Sequence, residues 1–221
     1  MRSRRLTMSL APSPSDSRAT GRAHAATAVV GPNAAIQLIG VLRARTDPET
    51  LRRILAAAGV PEWEARPPDR MVDERPVAAL HRATRAGLDA EPGKAILTEA
   101  GSRTGDYILA NRIPAAARAV LKPLPSWLSS RLLARAIATH AWTFVGSGRF
   151  RCDRGDGLAF EIAMNPFCAG ESSADPVCVW HAAVFRRLFD ALVSRNTRVV
   201  ETHCCARGDP CCRFALSGIG K

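Results

Sequence analysis

The stretch RFRCDRGDGLAFEIAM, residues 149–164, decides the class of fold. On either side of Arg154-Gly155-Asp156-Gly157 its apolar and polar side chains alternate, the period-two pattern of a β-hairpin. Everything before it has helical texture, ended by Gly146-Ser147-Gly148. Beyond it, NPFCAGESSADP is irregular, and VCVWHAAVFRRLFDALV sets Cys178, Ala182, Phe185, Phe189 and Leu192 at helical spacing. NTRVVETHC and CCRFALSG then read as two closing strands joined by the ARGDP turn. Strand, strand, helix, strand, strand after a helical half is an α+β pattern: a helical N-terminal half packed with a C-terminal antiparallel sheet.

Working back toward the N-terminus, GPNAAIQLIGVLRAR places Ile36, Ile39 and Leu42 on one helical face, with Asn33 as its N-cap. Thr46-Asp47-Pro48-Glu49 opens LRRILAAAG with a cap, a proline at the first helical position and a closing Gly59. PEWEARPPDRM is irregular. From Asp73 a helix runs through VAALHRATRAGL, and after an EPG break another runs through KAILTEAGSRTGDYILANR. Pro114 starts a short helix that KPLPS ends, and PSWLSSRLLARAIATHAWTF resumes helical periodicity through Leu128, Leu132, Leu133, Ala136, Ile137 and His140. Residues 1–30 mix Arg, Ser, Pro and Ala without periodicity and read as a disordered basic tail, leaving 31–221 as a single domain.

No apolar run reaches the roughly 18 residues of a membrane span, and the N-terminus lacks the apolar core of a secretory signal, so a cytoplasmic location is expected. There thiols stay reduced. Seven cysteines, four of them between Cys204 and Cys212, then point to metal or redox chemistry before a disulfide framework. Cys152 and Cys168, with no cysteine nearby in sequence, read as small buried hydrophobes. The net charge of +11 and pI of about 10.3 permit an anionic partner, nucleic acid, an acidic membrane surface or an anionic small molecule, without choosing among them. With neither a Lys/Arg block nor an aromatic stacking platform, nucleic acid is set aside; peripheral membrane contact and a small anion stay.

In ETHCCARGDPCCRFAL, residues 201–216, a tight Gly208-Asp209-Pro210 turn would bring Cys204 at the end of one strand near Cys212 at the start of the next. A helix packed on the sheet would deliver Cys178. Three thiolates and Glu201 would make a closed tetrahedral site, the form of structural zinc. Adjacent residues on a strand face opposite ways, which disfavours Cys205 and Cys211 as ligands. Spacing alone leaves open a knuckle of Cys204, Cys205, Cys211 and Cys212, an iron–sulfur centre, or a buried cysteine pair.

ETHCCARGDPCCRF resembles the closing signature of the 4-vinyl reductase domain family, E-x-x-C-x-A-x-G-D-x-x-C-x-F, matched here by Glu201, Cys204, Ala206, Gly208, Asp209, Cys212 and Phe214. The resemblance implies zinc on Cys178, Glu201, Cys204 and Cys212, within a core at about residues 140–218. GPNAAIQLIGVLR, MVDERPVAALHR, TGDYILANRIP and HAWTFVGSGRF are similar to the bacteriochlorophyll-biosynthesis branch of that family, from about Val30 onward. That likeness implies a homodimer, a pocket for a small hydrophobic molecule between helices and sheet, and a role where a divinyl chlorophyll precursor becomes monovinyl.

Vinyl reduction needs a hydride or electron donor, and no G-x-G-x-x-G follows a strand and opens a helix; GSGRF follows a helix and opens a strand. Whether the chain is itself an enzyme is therefore left open. A closed zinc site is redox-inert. Binding a magnesium tetrapyrrole is easier to account for: apolar helix surface for its face, Arg for its carboxylates, and an imidazole for its metal, with His140 beside Trp142 and also His81 as candidates. Each histidine has the alternative of a surface or satisfied core residue. Three functions follow. One is an accessory or carrier protein presenting the pigment to other bacteriochlorophyll-biosynthesis enzymes; another is the reductase itself with an external donor; the last is a ligand sensor.

Overall fold

The computed structural model describes residues 28–155 and 157–219. The expectation of a disordered tail falls, up to residue 27, outside the described residues. Its last residues are not tail: β1 (Val29–Val30) pairs antiparallel with β2 (Val72–Asp73), and Val30 is fully buried.

The first layer is helical. It comprises α1 (Asn33–Arg45), α2 (Pro48–Ala57), α3 (Glu74–Gly87), α4 (Ala90–Asn111), α5 (Ala115–Leu121), α6 (Ser126–Thr139) and the single turn α7 (Trp142–Val145). α2 starts as expected, with Asp47 Oδ1 accepting from the Glu49 and Thr50 N–H groups at 3.0 and 2.9 Å. In α1, Pro32 takes the cap position and Asn33 is the first helical residue. The buried stripe runs through Leu38, Ile39, Val41 and Leu42, so Ile36 is only half-buried. The EPG triplet does not break the helix. Asp89 holds the N-cap position of α4 without a side-chain capping bond, which places Pro92 in the first turn, where a missing N–H costs nothing.

The sheet begins where the alternation begins. β3 (Arg149–Asp153), β4 (Leu158–Ala163), β5 (Arg198–His203) and β6 (Cys212–Ser217) form one antiparallel sheet in the order β3-β4-β6-β5. α8 (Val179–Leu192) lies over it. Between them Phe150, Phe160, Phe185, Phe189 and Phe214 meet at ring-centroid distances of 4.9 to 6.4 Å, and this aromatic layer joins the helical core.

α8 also faces the helical half. Gly101 and Gly105, one turn apart on α4, let the two helices cross at close range. A Cβ on Gly101 would press on the Trp180 carbonyl and stand 2.8 Å from Ala183 Cβ; one on Gly105 would stand 2.7 Å from Arg187 Cβ. No described helix is long and apolar enough to cross a membrane.

Candidate functional site

Four elements converge on a buried knot of sulfur. Cys178 is the N-cap of α8, Cys204 follows β5, and Cys212 opens β6. Cys168 ends a short 3-10 helix, Pro166–Cys168, after β4. All four are 3% exposed or less, and their sulfurs lie within 4.8 Å of one another. Cys212 Sγ is 3.6 Å from Cys168 Sγ, 3.6 Å from Cys178 Sγ and 4.0 Å from Cys204 Sγ. A disulfide would need about 2.05 Å. Zinc–sulfur bonds of about 2.3 Å at tetrahedral angles put sulfurs about 3.8 Å apart, so the donor set fits a single tetrahedral ion.

Sequence reasoning read Cys168 as an isolated buried hydrophobe. It is buried, but chain separation hid its neighbours: the reversal after β4 brings it to thiols 10 to 44 positions further on. Asn165 was missed as well. The Asn-Pro pair at its position marks a turn. Its Oδ1 accepts from the Phe167 N–H at 3.1 Å, and its Nδ2 donates to Cys178 Sγ at 3.3 Å and Cys212 Sγ at 3.5 Å. The Cys205 N–H donates to Cys212 Sγ at 3.4 Å.

Glu201, on β5, sits beside the knot. Its Oε2 accepts from the Cys178 N–H at 2.7 Å, and its buried Oε1 has no partner. Burial, reinforced by the Cys204 thiolate, pushes the carboxyl up to about 8. Thiol hydrogen bonds from Cys168, Cys178 and Cys212 hold Cys204 well below the ordinary thiol range, while Cys178 and Cys212 are raised, first by their bonds with Cys168. Thiols ligate as thiolates, so an ion bound here would displace their protons. Cys205 and Cys211 stand outside the set; the Cys205 thiol points to the Ile162 carbonyl oxygen, 4.0 Å away.

His181, on the buried stripe of α8, is a third residue the sequence reading passed over. Its ring packs edge-on against Phe167 and Trp180 at 4.9 Å from each, its Nε2 has no partner, and burial lowers its pKa to about 3. His81 lies in the same nest, 1% exposed, with its Nε2 3.1 Å from the Ala34 carbonyl oxygen. It is a buried core histidine with one hydrogen bond to the backbone, and it lines neither of the cavities described below. His140 and Trp142 are exposed at the end of α6, and His140 Nδ1 bonds the Ala136 carbonyl oxygen at 2.8 Å.

Among the described residues, two surface cavities bear on the site. One, of about 380 Å³, lies between α6 and β3 and is lined by Leu132, Ala134, Ala138 and Cys152 together with Arg131, Arg135 and Arg154. The other, of about 430 Å³, is bounded by Glu74, Arg82, Met164 and Glu171 and reaches Cys168 and Cys205, an approach to the sulfur knot.

The 4-vinyl reductase (V4R) domain model matches residues 158–217, which hold β4, α8, β5, β6 and all four clustered cysteines. The bacteriochlorophyll synthase 23 kDa chain of Cereibacter sphaeroides is 53% identical over 87% of this chain and 92% of its own. That of Rhodobacter capsulatus is 45% identical over 87% of this chain and 88% of its own. Among solved structures, an H-NOX protein from S. oneidensis aligns with 85% of this chain and 98% of its own at 9% identity and a TM-score of 0.48.

Proposed function

Because the chain belongs to the family of the bacteriochlorophyll synthase 23 kDa chain, we propose that it serves bacteriochlorophyll biosynthesis by binding a divinyl magnesium-tetrapyrrole intermediate, as an accessory or carrier protein. The observation that carries this reading is the groove between α6 and β3, whose lining joins apolar Leu132, Ala134 and Ala138 with Arg131, Arg135 and Arg154. A tetrapyrrole has the complementary shape and charge, a flat apolar face with a carboxylate edge suited to guanidinium groups. The surroundings favour anions too. From Asp106 to Asp153 the chain has no other acidic residue and carries seven Arg and Lys, with Trp127 and Leu132 about half exposed on α6. The bond on His140 Nδ1 leaves Nε2 for an axial magnesium.

The same basic stretch supports a cytoplasmic partner surface, whether another biosynthetic enzyme or an acidic membrane face. The homodimer implied by the family resemblance belongs to the same proposal, with equilibrium sedimentation as its readout. The sulfur knot would hold zinc in a structural role: Cys178, Cys204 and Cys212 with a fourth donor tie α8 to the closing hairpin.

Anaerobic incubation of the pure protein with a divinyl magnesium tetrapyrrole, with and without reduced donors, tests the reading. A shifted absorption band with unchanged pigment mass is expected. Donor-dependent hydrogenation of the vinyl group would make the protein the reductase instead, and absence of any shift would remove the pigment reading.

A further inference from the structure

The family signature puts a carboxylate, Glu201, among the zinc ligands; the geometry points elsewhere. We infer that the ion is held by four thiolates, Cys168, Cys178, Cys204 and Cys212, with Glu201 outside the coordination sphere as a hydrogen-bonding support. The inference rests on the zinc reading and goes beyond it by naming the fourth ligand.

Three observations carry it. First, the four sulfurs lie within 4.8 Å of one another, the three separations from Cys212 (3.6, 3.6 and 4.0 Å) bracket the tetrahedral edge of about 3.8 Å, and Glu201 contributes no oxygen to that set. Second, Glu201 Oε2 accepts from the Cys178 backbone N–H, which ties the carboxylate to the start of α8 and leaves only the unpartnered Oε1 beside the cluster, while the four sulfurs complete a tetrahedral set without it. Third, the segment that delivers Cys168 is built for the purpose. Met164 is the only described residue other than glycine with positive φ, 52°, a conformation costing about 1–3 kcal/mol that persists only where the surroundings impose it. That turn aims Asn165 into the cluster, and Asn165 caps the 3-10 helix whose last residue is Cys168. The Asn165 amide and the Cys205 N–H bond the sulfurs of Cys178 and Cys212 as neutral donors. Such partners orient thiolates and spread their charge. Four thiolates on a divalent ion leave a formal charge of −2. Of the arginines flanking the closing cysteines, Arg213 pairs with Asp153 at 2.7 Å and with Glu161, and Arg207 stands 3.9 Å from Asp209, so both are engaged by carboxylates.

X-ray absorption at the zinc edge of the full chain decides the matter without reference to activity. A first shell of four sulfurs at about 2.3 Å is expected; three sulfurs with one oxygen near 2.0 Å would overturn the inference. Variants give an independent reading. Glu201→Gln should keep the four-sulfur shell and lose no more than about 10–100-fold in zinc affinity, as for an outer-shell support, whereas Cys168→Ser should lose a sulfur from the shell and more than about 100-fold in affinity. The reverse order overturns the assignment of Cys168. Protein that takes up no zinc at all would remove the zinc reading and the inference together, whereas a three-sulfur shell would leave zinc standing and sink only the fourth ligand. If Cys168→Ser does not fold, the wild-type spectrum still decides.

Discussion

Alanine at Gly101 and alanine at Gly40 should move stability in opposite directions, although both replace a glycine within a helix. In a helix interior Gly→Ala gains up to about 1 kcal/mol by stiffening the unfolded chain and improving helix propensity. At Gly40, in α1, nothing lies within 4 Å of the added Cβ, so that gain should appear whole. At Gly101 the Cβ meets the Trp180 backbone carbonyl and, at 2.8 Å, Ala183 Cβ. Neither neighbour can rotate away, so α8 must move off α4. Overpacking of this kind costs about 1–3 kcal/mol, and rigid neighbours place it near the upper end, leaving a net loss of about 1–2 kcal/mol. For a chain of this size about 1 kcal/mol shifts Tm by about 2–4 °C. Thermal and urea unfolding should therefore show Gly40→Ala about 2–4 °C above the wild type and Gly101→Ala about 2–8 °C below it. A Gly101→Ala protein as stable as the wild type, or a Gly40→Ala protein that falls with it, would refute the close crossing.

Cys212→Ser should lower zinc content and Tm together, while Cys211→Ser, outside the sulfur set, should change neither; equal effects would remove the site as drawn. His181 titrates near 3 in the fold and at its ordinary 6.5 when unfolded, so unfolding takes up a proton in that window. Its contribution is complete above pH 6.5 and is lost as pH falls toward 3, about 2 kcal/mol of it between pH 7 and 5. His181→Gln should flatten the acid limb of a stability–pH curve by that amount, and an unchanged slope would contradict the buried neutral imidazole. Arg131→Gln with Arg135→Gln, both on exposed positions of α6, should weaken pigment binding in an absorption titration while leaving zinc content and Tm unchanged. Undiminished binding would move the pigment away from this groove.

The order of elements was legible because each rests on local chemistry. Alternation about the RGDG turn marks β3 and β4, and Asp47 with Pro48 marks the start of α2. Local signals failed where position within an element decides meaning. Pro92 reads as a breaker, yet in a first turn it breaks nothing; Asn33 reads as a cap, yet Pro32 sits there. Of the sulfur knot, Cys178, Cys204 and Cys212 could be placed because a helix start and a hairpin bring them near each other. Cys168 could not, since its approach depends on the reversal at Met164 and Asn165, a tertiary feature with no periodicity to announce it. His81 shows the same limit: an Ala-rich helix around a histidine fits a pocket wall and a core equally well, and only the enclosing Phe167 and Trp180 rings choose the core.

The closeness of α4 and α8 bears on how this protein can be dissected. Residues 158–217 look like a separable unit, with three sheet strands, a helix and a sulfur knot of their own. Excised, that fragment would present the flank of α8 formed by Trp180, Ala183 and Val184 to water, where α4 now covers it so tightly that two glycines are required. Such a bare apolar strip favours self-association over solution as a monomer. The helical half is therefore a necessary lid for the family's signature segment, and a soluble, well-behaved minimal piece of this protein has to begin at or before β1.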